Sequence, residues 1–324
     1  MKPINHNHRS NLIQTPWQPI LDRLSSFRID TDVILAPFTT FGIGGPADLL
    51  FRAKSASELI EVVLAAKELE VPYFVMGKGA NLLIGDRGFR GLVIVCEIGG
   101  IDYLDDNHVR AGSGVTTYPH LISTTAQKGL GGLHHFVGIP STVGGAMWQN
   151  LHFLSPEPDR TRTIFIEEFV DSASIFSEEK EIQVVDKDYF KFSYDYSILH
   201  ERKDIVLSVD FSLEQADPIE LHKTMEENLE WRKERHPDLQ EFGSVGSIFK
   251  KIESIGAGRL IDTCGLKGKT FGDAQIFDRH ANIIINLGAA TASDVLRLID
   301  LAQSSVAREH GYELVPEITF VGEF

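Results

Sequence analysis

The sequence predicts a mixed α+β protein with two lobes, on three observations. Apolar segments of strand length alternate with amphipathic segments of helix length in the first 130 residues. Two glycine-rich stretches, residues 77–83 and 138–150, stand where a strand gives way to a loop. A long charged helix pattern after residue 217 precedes a last group of helices and strands. Strands and helices mixed in this order indicate α+β layers.

The first half of the chain carries the clearest start signal for a helix. Ser55 and Glu58 form a capping box, which predicts a helix running to about residue 70. Residues 1–20 are predicted to be a flexible extension. Apolar runs and helical spacing predict the other elements of this half: strands at 71–76, 92–96 and 109–111, and a helix at about 118–128.

The second half begins with strands and ends with helices. Asp217 as N-cap, Pro218 at the first helical position and Glu220 two residues later predict a helix that ends near His236. We place the lobe boundary just before it, which gives a domain at 21–214, split near residue 98, and a domain at 215–324. The remaining predictions are strands at 164–171, 174–176, 205–213, 283–286 and 318–321, and helices at 257–264 and 292–309, the last stopped by Gly311.

Composition excludes several classes of protein. The 324 residues are 43% hydrophobic and 24% charged, which is ordinary for a globular chain. A net charge of −15 argues against broad binding to nucleic acid or membrane surfaces. The absence of an apolar run long enough for a membrane span or a secretory signal predicts a cytoplasmic protein.

Cysteine and histidine usage predicts neither a disulfide framework nor a metal site. Cys96 and Cys264 are too few and too far apart for a framework, and Cys96 closes an apolar run, which indicates a buried packing residue. His134 and His135 are the only adjacent histidines, and no His-Glu-x-x-His pattern occurs. We expect this histidine pair to be packed in a loop.

The glycine-rich stretches suit a polyanion, yet they match neither common phosphate motif. Backbone N–H groups can approach a phosphate closely where no Cβ intervenes. The Gly268-Lys269 pair has Thr263 where a Walker loop needs glycine. Residues 42–47 have dinucleotide-type spacing, but the segment 48–52 after them reads as a strand where that motif needs a helix. Both nucleotide-binding motifs are therefore rejected.

Six motifs in register resemble the UDP-N-acetylenolpyruvoylglucosamine reductase family (UDP-N-acetylmuramate dehydrogenases, MurB), over about residues 36–322. They are residues 40–47, 77–82, 138–146, 246–250, 265–268 with 280–282, and 316–317. The resemblance implies an FAD-binding lobe of the vanillyl-alcohol-oxidase (PCMH) type and a smaller C-terminal α+β substrate-binding lobe. It also implies FAD and NADPH as cofactors and a small-molecule UDP-sugar as substrate.

The resemblance assigns roles to individual residues. Ser247 falls on the family's proton donor, and Glu317 on its catalytic glutamate. Tyr194, Ser197, Lys250 and Lys267 fall at positions that suit contacts to the UDP-sugar. The two loops imply the cofactor-binding residues Gly77, Lys78, Gly79, Ala80, Asn81, Leu82, Gly138, Ile139, Pro140, Ser141, Thr142, Gly144, Gly145 and Ala146.

The chain departs from the family pattern on the substrate side. Asp195 stands where the family has an arginine that stabilises the developing enolate, and a carboxylate there would oppose the reaction by a few kcal/mol. Residues 150–155 replace the family's Asn-Ala-Gly-Ala-Tyr-Gly, and Ser141 replaces a glycine. Either Arg160 or Arg162 supplies the missing cation, or the substrate has changed.

Three functions remain open at this point. The first is FAD-dependent reduction of UDP-N-acetylglucosamine enolpyruvate to UDP-N-acetylmuramate by NADPH, in peptidoglycan precursor synthesis. The second is a flavin oxidoreductase of the same fold with another substrate, and the third is a non-catalytic flavin-binding protein. Ser247 and Glu317 favour the first, and Asp195 favours the second. The sequence does not give the oligomeric state and is compatible with a monomer.

Overall fold

The computed structural model describes residues 16–155, 160–252 and 255–324. The extension predicted at 1–20 lies largely outside these residues, and a short helix occupies its last part. The helices are α1 (Gln18–Arg23), α2 (Ala56–Glu68), α3 (Ile122–Gln127), α4 (Val143–Gln149), α5 (Pro218–Arg235), α6 (Ala257–Thr263) and α7 (Ala292–His310).

The strands fall into two larger sheets and several short pairs. In chain order they are β1 (Asp30–Ile34), β2 (Pro46–Ala53), β3 (Tyr73–Met76), β4 (Leu82–Ile84), β5 (Phe89–Cys96), β6 (Ile101–Tyr103), β7 (His108–Gly112), β8 (Leu130–Gly131), β9 (His152–Leu154), β10 (Thr163–Phe165), β11 (Val170–Phe176), β12 (Ile182–Asp186), β13 (Ile205–Ser212), β14 (Glu214–Gln215), β15 (Thr270–Phe271), β16 (Ala274–Ile276), β17 (Ile284–Asn286) and β18 (Thr319–Val321).

The first sheet has the order β1-β2-β5-β3, with β2, β5 and β3 parallel. Helix α2 connects β2 to β3, and half of the predicted capping box is present: the Ser55 hydroxyl accepts the Glu58 N–H, while the Glu58 carboxylate accepts the Lys54 N–H in place of the Ser55 N–H. Alternate residues of β5 face two different hydrophobic clusters, so the strand is buried on both faces. A continuous apolar run is typical of such a parallel strand.

The second sheet is antiparallel, in the order β12-β11-β13-β7-β6. One of its faces packs on α3 and α4, and Leu221 and Met225 of α5 enter the same core. Asp217 caps α5 as predicted, its side chain accepting the Ile219 N–H at 2.9 Å. The domain boundary near residue 215 stays a prediction, since the helix after it packs on the preceding layer.

Two predicted elements differ in detail from the structure. The strand predicted at 164–171 is broken by a 3₁₀ turn at Ile166–Glu168, where the Glu168 carboxylate accepts the Phe165 N–H. The helix predicted at 118–128 begins only at Ile122 as a regular α-helix. Tyr118 precedes Pro119 and has an extended backbone, because a following proline disfavours the helical region.

The C-terminal layer contacts the first half of the chain through a separate two-stranded parallel sheet of β18 and β4. Its core is built by α6, α7 and the small sheet β15-β16-β17, and α7 ends at Gly311, whose φ of 72° suits glycine. The pairing places residue 317 beside the loop that follows β3. Asn81 makes this connection directly, donating its side-chain N–H to the Glu317 carbonyl at 3.1 Å.

Candidate active site

A cavity of 910 Å³ lies between the first sheet, the second sheet and the C-terminal layer. Residues from all three line it. Its wall includes the loop after β3, the N-terminus of α4, the segment around Tyr194, the end of α5 and the segments around Ser247 and Glu317. This size is in the range of small-molecule and cofactor sites. The predicted site residues are therefore drawn largely to one place.

The loop after β3 offers free backbone donors to this cavity. Residues 77–82 all line it, and the N–H groups of Lys78, Gly79 and Ala80 donate to no acceptor among the described residues. Gly79 has a φ of +60°, which favours glycine. A Cβ on Gly77 would lie 2.3 Å from the Thr142 hydroxyl. Clustered free amides on a loop that has glycine at 77 and 79 fit a pyrophosphate such as that of FAD.

The second glycine-rich loop shapes the cavity and uses most of its own amides internally. Thr142 caps α4 by accepting the Gly145 N–H, and Gly144 donates to the Ser113 carbonyl at 2.8 Å. The residues of this loop that line the cavity are Ile139, Pro140, Ser141, Thr142, Gly144 and Gly145. Gly138 instead faces Leu229 and Arg232 of α5, and Ala146 is 1% exposed in the core.

Ser247 and Glu317 are brought together by backbone pairing of the C-terminal layer. Ser247 pairs with Ile283, and the next residue, Ile248, accepts the Glu317 N–H at 2.8 Å. Both Ser247 and Glu317 line the cavity. A hydroxyl and a carboxyl on neighbouring segments facing one cavity form an arrangement that can deliver a proton.

The Glu317 carboxyl is favoured in its protonated form. The surrounding protein shields it from bulk water, and this burial, with the nearby Asp195 charge, raises its pKa well above the ordinary value. The charge of Lys250 acts in the opposite direction and is the smaller influence. A buried carboxyl with a raised pKa is the usual form of a catalytic acid.

Asp195 is close enough to Glu317 to act on it by its charge, and it is almost completely buried. It is 2% exposed, has a φ of +52°, and its Oδ2 has no hydrogen-bond partner among the described residues. Burial and the charges of Asp195 and Glu317 raise the pKa of the neighbouring Tyr194 hydroxyl far above its usual value. The carboxyl groups of Asp195 and Glu317 thus share one region of the cavity wall.

The predicted substrate contacts differ in their access to the cavity. Tyr194 and Lys267 line it, and Lys267 also donates to the Asp262 carboxylate at 2.8 Å. Lys250 is exposed, outside the cavity wall, and close enough to act on Glu317 by its charge. Ser197 is fully buried, and its hydroxyl donates to the Trp148 carbonyl at 2.8 Å. This geometry gives Ser197 a structural role and does not favour the predicted contact to substrate.

Neither arginine offered as a replacement cation lies in the cavity wall. Arg160 donates to the Leu154 carbonyl at 2.9 Å and to the Asn228 side chain at 2.7 Å, and packs over the Trp231 ring. Arg162 pairs with the carboxylate of Glu168. These contacts hold both side chains elsewhere, so the structure does not support either as a partner of the reacting carboxylate.

Sequence reasoning missed cationic and aromatic residues that line the cavity. Arg232 lines it near the end of α5, and burial lowers the pKa of its guanidinium to about 10. In the sequence, Arg232 looks like any basic residue in the last turn of a helix, where positive charge is favourable. No signal therefore marked it as a residue of the site. His152 and Trp148 also line the cavity, and both lie in or beside the segment where the chain departs from the family.

The histidine and cysteine predictions concern residues that the structure describes. His134 and His135 stack at 3.9 Å, and burial lowers their pKa values to about 3 and about 4, so they are packed as expected. Cys96 is buried, with its thiol 3.2 Å from the Ser113 hydroxyl. Among the helices of the described residues, none combines the length and apolarity that crossing a bilayer requires.

Comparison with known proteins gives consistent matches along the chain. An FAD-binding domain family matches residues 47–157, and the UDP-N-acetylenolpyruvoylglucosamine reductase C-terminal domain matches residues 237–321. A reductase of that name from Caldanaerobacter subterraneus is 36% identical over 88% of this chain and 91% of its own length. Another, from Caldicellulosiruptor saccharolyticus, is 37% identical over 90% and 92%.

A solved structure extends this similarity to the fold. The UDP-N-acetylenolpyruvylglucosamine reductase of Thermus caldophilus superposes with a TM-score of 0.74 at 32% identity, covering 91% of this chain and 99% of that one. The expected fold, an FAD-binding lobe of the vanillyl-alcohol-oxidase type with a C-terminal α+β lobe, is confirmed. With its glycine loops, buried acid and matched length, the chain belongs to the UDP-N-acetylenolpyruvoylglucosamine reductase family.

Proposed function

We propose that this chain reduces UDP-N-acetylglucosamine enolpyruvate to UDP-N-acetylmuramate with FAD and NADPH, a step in peptidoglycan precursor synthesis. The observation that carries the proposal is that Ser247 and the shielded acid Glu317, on neighbouring segments, line one cavity with a loop of free amides. The membership of the family along nearly the whole chain supports it.

The two glycine-rich loops are the proposed FAD site. The amides of Lys78, Gly79 and Ala80 would hold the pyrophosphate, and the loop at the start of α4 would form the wall beside the ring system. When bound, FAD supplies the hydride chemistry that connects NADPH to the enolpyruvyl double bond. The protein must orient the substrate against this site and handle the proton.

Proton delivery falls to this chain's own residues. Addition of a hydride at one carbon of the double bond leaves negative charge at the other carbon and at its carboxylate, and that carbon must receive a proton. We assign the proton to the Ser247 hydroxyl, which can act as an acid only toward such a basic centre. Glu317, whose raised pKa favours the protonated carboxyl, donates a hydrogen bond to the developing negative charge.

Binding of the UDP-sugar is assigned to the outer part of the same cavity. Tyr194 is 43% exposed there and can cover the sugar or nucleotide, and Lys267 in the wall brings positive charge toward the phosphates. Lys250 lies outside the wall, and we propose that its exposed side chain adds positive charge near the same ligand. We propose no nucleic-acid or membrane partner, on the charge of −15. A cytoplasmic location is proposed because NADPH and nucleotide sugars are supplied there.

Product analysis tests the proposed reaction. Purified FAD-loaded protein, NADPH and UDP-N-acetylglucosamine enolpyruvate should yield a product whose mass and chromatographic behaviour match UDP-N-acetylmuramate. Asp195 favours the second candidate, a flavin oxidoreductase of this fold with another substrate. NADPH-reducible flavin that leaves the enolpyruvyl substrate unchanged would select that candidate.

Replacing Ser247 by alanine should slow hydride transfer from the reduced, FAD-loaded protein to the enolpyruvyl substrate by roughly 10²–10⁴-fold. A positioned proton donor contributes about that much to the rate. Reduction by NADPH should keep its normal rate, since the hydroxyl is assigned only to the second half of the reaction. Stopped-flow absorbance measures the two halves separately. Ser304→Ala, on the exposed face of α7, is the matched control. Equal slowing of both halves in Ser247→Ala would contradict the assignment.

A further inference from the structure

The buried carboxylate of Asp195, in the cavity wall, lacks a full set of hydrogen bonds. A buried carboxylate is costly unless cations or hydrogen bonds compensate it. Its Oδ2 has no hydrogen-bond partner among the described residues, and the carboxyl of Glu317 adds a second acid nearby. A substrate that carries its own carboxylate would meet this region as a third acidic group. The cavity therefore needs a cation beside Asp195 before such a substrate can bind.

His152 is the group that the structure places beside Asp195. Its Nδ1 lies 3.8 Å from Asp195 Oδ1 and 3.2 Å from the Asn150 carbonyl oxygen, so both neighbours of this nitrogen are acceptors. Nδ1 is thereby fixed as a donor. Nε2, which makes no hydrogen bond to the described residues, remains for a ligand.

The imidazole of His152 is held rigidly and still reaches the cavity. It packs against the Tyr194 ring at 4.6 Å and the Phe165 ring at 5.2 Å between centroids. Its side chain is 20% exposed and forms part of the cavity wall. Ring packing of this kind leaves few orientations, so the free nitrogen is preorganised.

The other charged or titratable groups around this pair are already accounted for. Glu317 and Tyr194 carry a carboxyl and a phenol, which are either neutral or negatively charged, so neither supplies a cation. Lys250 is exposed, outside the cavity wall. His200 lies in the field of Asp195, but its Nε2 is bonded to the Trp148 carbonyl, and burial lowers its pKa.

Resting on the function proposed above, we propose that His152, held by Asp195, binds the substrate's carboxylate and replaces the family's arginine. In the complex the ring donates Nδ1–H to the Asn150 carbonyl, with the Asp195 carboxylate 3.8 Å away, and presents Nε2 to the ligand carboxylate. The histidine and the aspartate belong to two segments that depart from the family pattern, and the structure brings them together. In this proposal the two departures are linked: the pair of Asp195 and His152 stands in place of the family's single arginine.

A pair of ligands that differ in a carboxylate tests this assignment. UDP-N-acetylmuramate carries the lactyl carboxylate and UDP-N-acetylglucosamine lacks it, so their affinities separate the carboxylate contact from the rest of the site. Calorimetric titration of the FAD-loaded protein measures both. Variants are His152→Leu, Asp195→Asn and the double variant, with His222→Gln on α5 as the matched control.

Each single variant should bind UDP-N-acetylmuramate roughly ten- to hundredfold more weakly, the usual range for a hydrogen bond to a charged group. Affinity for UDP-N-acetylglucosamine should stay within about twofold, which also shows that the site is folded. The double variant should be no worse than the weaker single variant, because the residues act as a unit.

Two results would overturn the assignment. Equal weakening for both ligands would make His152 and Asp195 structural residues, and unchanged affinity for UDP-N-acetylmuramate would place its carboxylate elsewhere. Wild-type protein that binds neither ligand would reject the proposed function as well, and the two failures are thereby distinguishable.

Discussion

Replacing Glu317 by glutamine should lower turnover with the enolpyruvyl substrate by roughly 10²–10³-fold, because the amide keeps the size of the side chain but donates a weaker hydrogen bond than the carboxylic acid to the developing negative charge. In the unchanged protein the acid works in its protonated form. Since the pKa of Glu317 is raised, the rate should be highest below that raised pKa and should fall as pH rises through it. Glu317→Gln should lose this pH-dependent limb.

Separate rates for the two half-reactions decide the outcome for Glu317→Gln. Reduction by NADPH should proceed normally, and only the substrate-dependent half should slow. Glu313→Gln, an exposed change four residues earlier, is the control for general effects on this segment. A Glu317→Gln protein with unchanged turnover and an unchanged pH profile would remove the carboxyl from the mechanism.

Replacing Gly77 by alanine should weaken FAD binding by roughly five- to hundredfold, the range expected for an added methyl group in a packed site. The new Cβ would lie 2.3 Å from the Thr142 hydroxyl, which forces that side chain to move. Thr142 caps α4 through the Gly145 N–H, and loss of such a cap costs about 1 kcal/mol in itself. The substitution therefore disturbs both glycine-rich loops at once. Fluorescence titration of the apoprotein with FAD measures the effect.

Gly99→Ala is the matched control for Gly77→Ala. A Cβ at residue 99 would meet only the Glu97 carbonyl oxygen, at 4.0 Å, so FAD binding should be unchanged. Circular dichroism should show that Gly77→Ala keeps its overall secondary structure. FAD affinity equal to that of the unchanged protein would contradict the placement of the cofactor at the loop after β3.

Local signals predicted most of the secondary structure. The Ser55 cap, the Asp217 cap and the Gly311 stop lie where the sequence placed them, because side chains within a few residues determine helix ends. The 3₁₀ turn that divides β10 from β11 was not predicted. It depends on a hydrogen bond from the Phe165 N–H to the Glu168 carboxylate, which no apolar pattern reveals. The packing of α5 against the core of the second sheet depends on contacts between residues far apart in sequence.

The residues of the candidate site were predicted less evenly than the fold. The glycine-rich loops, Ser247 and Glu317 lie in short motifs, so similarity to the family locates them without a structure. Arg232, His152 and Trp148 lie in segments that read as an ordinary helix end or as an altered motif. The meeting of His152 with Asp195 joins residues 43 positions apart in sequence, 152 and 195, and only the fold reveals it.

Single-turnover reoxidation tests the central claim most directly. The FAD-loaded protein is reduced anaerobically with NADPH and mixed with UDP-N-acetylglucosamine enolpyruvate, while absorbance at the flavin band is followed. The account predicts rapid reoxidation with one UDP-N-acetylmuramate formed per flavin, despite the carboxylate at Asp195. Flavin that is reduced by NADPH and stays reduced in the presence of this substrate would contradict it.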